Sequence, residues 1–80
     1  MNEGTRVKLR KDVERYPHFV APEGAEGIIT KKEEDLIAVR LDEPLEGAEE
    51  WDNEIHWHKG QFPDSDYESA FQDDVEALEG

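Results

Sequence analysis

The stretch KDVERYPHFVAPEG, residues 11–24, decides the fold. Pro17 and Pro22 rule out a regular helix across it, because each removes an N–H donor and crowds the preceding turn. Its aromatic and apolar residues argue against a solvated linker. The stretch reads as a long, ordered loop, with Tyr16, Phe19 and Val20 folded onto the core. On its N-terminal side, Thr5, Val7 and Leu9 alternate with Arg6, Lys8 and Arg10, the period of a half-buried strand. On its C-terminal side, Gly24-Ala25-Glu26-Gly27 suits a tight turn feeding a strand at Ile28-Ile29-Thr30. A polar turn at Lys32–Asp35 leads into Leu36–Asp42. There Ile37, Val39 and Leu41 face one way and Ala38, Arg40 and Asp42 the other, so the pair reads as a β-hairpin.

Pro44-Leu45-Glu46-Gly47 turns the chain again, ahead of EEWDNEIHWH, residues 49–58. Period-2 alternation places Trp51, Asn53, Ile55 and Trp57 on one face of a strand, and Asp52, Glu54, His56 and His58 on the other. Lys59-Gly60 ends it. Residues 63–74, PDSDYESAFQDD, read as a loop with a short helical turn carrying Tyr67 and Phe71. Val75–Leu78 reads as a last short strand. The expected fold is all-β and a single domain, residues 1–80: about five short strands, a long loop after strand 1 and a short helical turn before the last strand. Closing such a set removes exposed edges. The expectation is therefore a small five-stranded SH3-like barrel. An OB-type barrel competes, but it wants a clear helix between strands three and four, whereas the long connection here follows strand one.

The 80 residues carry 22 acids and 9 bases, a formal net charge of −13. Residues 1–40 hold eight acids and eight bases; residues 41–80 hold fourteen acids and one base, Lys59. A uniformly salt-adapted surface would be acidic in both halves. This polarity disfavours direct binding to nucleic-acid phosphates or anionic lipid, which need clustered Lys and Arg. It favours a basic protein surface, with steering over a Debye length of about 8–10 Å. The same acidity also keeps a small protein soluble and opposes self-association, so a monomer is expected. There is no Cys, hence no disulfide and no thiolate chemistry, which fits a cytoplasmic setting. Neither a signal peptide nor a membrane span is expected.

Four runs carry a resemblance: Gly4-Thr5-Arg6-Val7-Lys8-Leu9, Pro22-Glu23-Gly24-Ala25-Glu26-Gly27-Ile28-Ile29, Ile37-Ala38-Val39-Arg40-Leu41 and Asp74-Val75-Glu76-Ala77-Leu78. They resemble the electron-transfer accessory and KOW-like SH3 barrels. That group includes the photosystem I stromal SH3 subunit, the ferredoxin–thioredoxin reductase variable chain and the nitrile hydratase β-subunit barrel. Its pattern is a G-x-x-V first strand, a P-x-G-x-x-G-x-I/V turn and a closing D-[LV]-E strand. The resemblance implies the fold and an accessory surface that docks a partner while chemistry lies elsewhere. It transfers no site residue. The small acidic form is also similar to small phage and bacterial proteins.

His56 and His58 are an H-x-H pair whose Cβ atoms lie about 7 Å apart on one side of a strand. With Asp52 or Glu54 they admit zinc or copper. That face is expected to be wet, without the outer shell that orients ligands, so no metal or other cofactor is assigned. Trp51 and Trp57 are expected inward as core, with Trp51, at the strand's start, also able to serve as a rim anchor. Asn53, if buried, must bond the backbone. Tyr16, His18 and Phe19 with Trp51 form either an aromatic groove or a set of loop aromatics pinned to the core. Catalysis is not expected: Ser65 and Ser69 sit in no nucleophile motif and no loop cradles phosphate. The expected function is a non-enzymatic module docking a basic partner through Tyr16, Phe19, Trp51, Asp52, Glu54, Asp64, Asp66, Asp73 and Asp74. The alternatives are a DNA-mimic inhibitor of a nucleic-acid-binding protein and a metal-binding protein using His56 and His58.

Overall fold

The computed structural model describes residues 2–15, 19–62 and 66–78. The alternating residues form β1 (Arg6–Leu9), β4 (Glu26–Lys32) and β5 (Leu36–Leu41). Residues 11–24 are not a plain loop. They contain β2 (Val13–Arg15) and β3 (Phe19–Ala21), paired as a hairpin with Arg15 opposite Phe19. Phe19 and Ala21 are buried, but Val20 is 52% exposed. That corrects its expected place in the core: strand geometry sends neighbours to opposite faces, and Val20 falls between two inward residues. Tyr16 and His18 lie outside the described residues.

The main sheet has five antiparallel strands in the order β6-β5-β4-β1-β7, where β6 is Glu54–His58 and β7 is Val75–Ala77. Among the described residues the strand count is therefore seven, five in the main sheet and two in the hairpin. β4 and β5 slip register between Ile29 and Lys31. They approach very closely at Gly27, where an added Cβ would lie 2.4 Å from the Arg40 carbonyl oxygen. Among the described residues no hydrogen-bonded pairing joins β6 to β7, so the sheet is not closed into a barrel. A helix α1 (Tyr67–Asp74) packs against both end strands instead. It is eight residues long rather than a single turn, and its N-cap Asp66 accepts from the Glu68 N–H at 2.9 Å.

Tyr67 and Phe71, four residues apart on one face of α1, close the core. Trp57 is fully buried and meets the Phe71 ring edge-on, with centroids 5.1 Å apart. The Tyr67 hydroxyl donates to the Glu34 carbonyl at 2.6 Å, tying α1 to the β4–β5 turn. Among the described residues no helix is long and apolar enough to cross a membrane.

Candidate docking surface

β6 begins only at Glu54, and the reason is local. Asp52 and Asn53 both adopt left-handed backbone conformations, with φ of 54° and 61°. Trp51 precedes them in a 3-10 turn, Glu49–Trp51. The turn breaks the alternation, so Trp51 does not share the inward face of Ile55 and Trp57. It is 38% exposed, which corrects its expected place as core, and it stands edge-on to His56 with centroids 6.1 Å apart. Asn53 holds the turn. Its Oδ1 accepts from Leu45 N–H at 2.8 Å, and its Nδ2 donates to the carbonyls of Leu41 at 2.9 Å and Glu43 at 2.7 Å.

The second face of β6 is only partly the wet face expected: Asp52 and His58 are exposed and His56 is half-buried, but Glu54 is not. Glu54 is only 7% exposed. Its Oε2 accepts from the Thr30 hydroxyl at 2.7 Å and lies 3.4 Å from Arg40 Nη2, and its Oε1 lies 3.3 Å from His56 Nε2. Burial would raise this carboxyl's pKa. The bonds from Thr30 and His56, with the charges of Lys31 and Arg40, outweigh burial and hold it below its ordinary value. The two histidines are engaged separately. His58 Nδ1 accepts from Gly60 N–H at 3.0 Å, while the His58 N–H donates to Gln61 Oε1 at 3.1 Å, a reciprocal cap on the turn at Lys59–Gln61. No group of three or more His, Asp or Glu able to hold a metal exists among the described residues.

Arg15 is a residue the sequence did not single out. Its Nε and Nη2 reach the His56 carbonyl at 3.4 and 3.2 Å, its Nη1 reaches the Glu14 carbonyl at 2.9 Å, and its guanidinium sits 5.1 Å from the Trp57 ring centroid. The hairpin thereby covers the open edge of β6 with a cation over a π face. Burial lowers the Arg15 pKa, and nearby Asp74 opposes that shift; an arginine still keeps its charge.

Of the expected docking residues, Phe19, Trp51 and Glu54 come together, with Arg15, His56 and Gln61, around a small hollow of about 50 Å³. Phe19 itself is buried. Asp52 is exposed and belongs to a different hollow, of about 240 Å³, with Asp42, Pro44, Leu45 and Glu49. Asp74 is half-buried: its Oδ2 accepts from Trp57 Nε1 at 3.0 Å and its Oδ1 lies 3.3 Å from Lys11 Nζ. Asp66 caps α1 and Asp73 is exposed near its end. Tyr16 and Asp64 lie outside the described residues.

A larger hollow, about 300 Å³, lies between residues 22–26 and 41–45 and was not foreseen. Pro22, Ala25, Leu41, Pro44 and Leu45 line it with Glu26, Asp42 and Glu43. The two Asp42 carboxylate oxygens accept from Arg6 Nη1 and Nη2, which holds the carboxyl below the ordinary range. Lys8 likewise faces Glu76 at 3.4 Å. The bases of β1 thus neutralise part of the C-terminal acidity in space. No family model, curated protein or solved structure was found to match this chain.

Proposed function

We propose that this chain is a protein-binding module without chemistry of its own, which docks a basic partner surface. The observation that carries the reading is Trp51. A large aromatic side chain stands partly exposed on a turn held by three Asn53 hydrogen bonds, with the exposed acids Glu49 and Asp52 in the same turn. An exposed aromatic on a rigid support supplies hold with little ordering cost, and the acids around it supply speed and selectivity. Glu54 and Asp74 play structural parts and leave the expected contact set. The strand order β6-β5-β4-β1-β7, with a hairpin in the β1–β4 connection and α1 before β7, supports an SH3-like framework for the module.

Affinity capture from a lysate tests it, with wild type and W51A compared at low salt, at about 0.5 M salt and with duplex DNA added. The expected result is a basic protein that survives salt and DNA on wild type and is lost with W51A. A partner displaced by DNA and indifferent to W51A would instead support the DNA-mimic reading.

A further inference from the structure

We propose that the two hollows flanking Pro44 and Leu45 form one groove, and that its occupant is an extended segment of a partner protein bearing Lys or Arg at alternate positions. This rests on the reading of the chain as a basic-partner docking module and names what its surface grips.

The hollows, about 300 and 240 Å³, share Asp42, Pro44 and Leu45, so they adjoin across a single turn. The wall they share is apolar at Pro44 and Leu45. The rim is acidic, with Glu26 and Glu43 on one side and Glu49 and Asp52 on the other. Among the described residues no Lys, Arg or His lines either hollow. Lys and Arg side chains are the complement of such a surface: their aliphatic stems cover apolar area while their cationic heads reach the polar edge. An acidic segment would meet carboxylates with no lining cation, and a wholly apolar one would strip water from them without compensation. Asp42 is already engaged by Arg6, whose charge also reaches Glu26, so Glu43, Glu49 and Asp52 hold the incoming charges.

The groove is built before any partner arrives. Asn53 bonds the backbone of Leu41, Glu43 and Leu45 at once, which fixes the turn that forms the saddle between the hollows. Little ordering is then required on binding. In an extended chain, residues i and i+2 project to the same side about 7 Å apart, so a Lys-x-Lys segment offers one stem to each hollow.

The test uses a fluorescent peptide of alternating Lys and Ala, read by anisotropy, with amide chemical shifts of the ¹⁵N-labelled protein. Shifts are expected at Ala25, Glu26, Leu45 and Asn53. The paired variant E43Q/E49Q should weaken binding about fivefold or more, and E33Q/E34Q, which removes the same charge from the β4–β5 turn, less than about twofold. L45S should also weaken binding; if it fails to fold, the charge pairs decide. Equal weakening by both charge pairs, or shifts confined to Trp51 and α1, would overturn the groove and leave the docking reading standing. A peptide that does not bind, beside a basic protein captured through Trp51, overturns the groove alone. The docking reading itself fails if no basic partner is captured, or if the captured one is displaced by DNA and indifferent to W51A.

Discussion

The indole Nε1 of Trp57 donates to Oδ2 of Asp74 at 3.0 Å. This bond crosses from β6 to the last residue of α1, and the same carboxylate pairs with Lys11 beyond β1. Three segments far apart in sequence meet at one acid. Trp57 is fully buried, so its N–H has no other outlet. D74A should therefore cost about 2 kcal/mol, the range for orphaning a buried donor. D74N keeps an acceptor and should cost about 1 kcal/mol or less. Urea denaturation followed by far-UV circular dichroism measures both; equal losses would show that the indole bond contributes nothing.

The close backbone approach at Gly27 makes a sharp stability prediction. A Cβ at Gly27 would lie 2.4 Å from the Arg40 carbonyl oxygen, a backbone atom that cannot swing away. G27A must separate β4 from β5, at a cost of about 3 kcal/mol or more, enough to unfold a marginal small domain. Gly24, with φ of +88°, meets nothing within 4 Å. G24A pays only the left-handed penalty of about 1 kcal/mol. Thermal melts of the two variants should differ widely, and a similar loss for both would contradict the close approach.

Glu54 gives a pH dependence with a definite sign. Its folded carboxyl has a lowered pKa, so at low pH the unfolded chain binds the additional proton. The stability this adds is complete above the ordinary glutamate value of about 4.3 and is lost as pH falls through the lower folded value. Asp42, lowered by Arg6, acts in the same window. The urea midpoint of wild type should exceed that of E54Q at neutral pH, and the gap should close below the ordinary carboxylate range. A gap that widens as pH falls would reverse the assignment.

The two tryptophans should be separable in solution. Trp57 is fully buried and Trp51 is 38% exposed. Acrylamide should quench part of the native emission, and W51F should remove that accessible part while leaving the protein folded. Residual ready quenching in W51F would place Trp57 nearer to solvent than the fold allows.

Asn53 combines a left-handed backbone, φ of 61°, with three hydrogen bonds to neighbouring backbone. N53A should lose about 2–4 kcal/mol, from the left-handed penalty and the bonds together. N53G keeps the backbone freedom but not the bonds and should recover only about 1 kcal/mol of that loss. Chemical denaturation of the pair separates the two contributions.

The sequence by itself determined the strands whose signal is local. Alternation at Val7 and Leu9, and at Ile37, Val39 and Leu41, placed those residues in the core, where they lie. Tyr67 and Phe71, at helical spacing, were placed before the last strand, where α1 presents both to the core. A period of two or of four is carried by neighbouring residues, so it can be read without knowing the partner strand.

Only the tertiary structure decided the rest. Trp51 points away from Trp57 because two non-glycine residues, Asp52 and Asn53, turn left-handed, and the Asn53 bonds to Leu41, Glu43 and Leu45 that hold this conformation reach across a turn. Glu54 is buried because Thr30 and Arg40 arrive from the two preceding strands to satisfy it. Arg15 becomes a lid over Trp57 because a hairpin folds back across the edge of β6. The charge polarity of the chain is likewise reduced in space, since Arg6, Lys8 and Lys11 meet Asp42, Glu76 and Asp74. Each of these outcomes joins residues whose spacing along the chain carries no period. Hydrogen bonds and ion pairs of that kind are chosen by which strands become neighbours, and that choice belongs to the packed core as a whole.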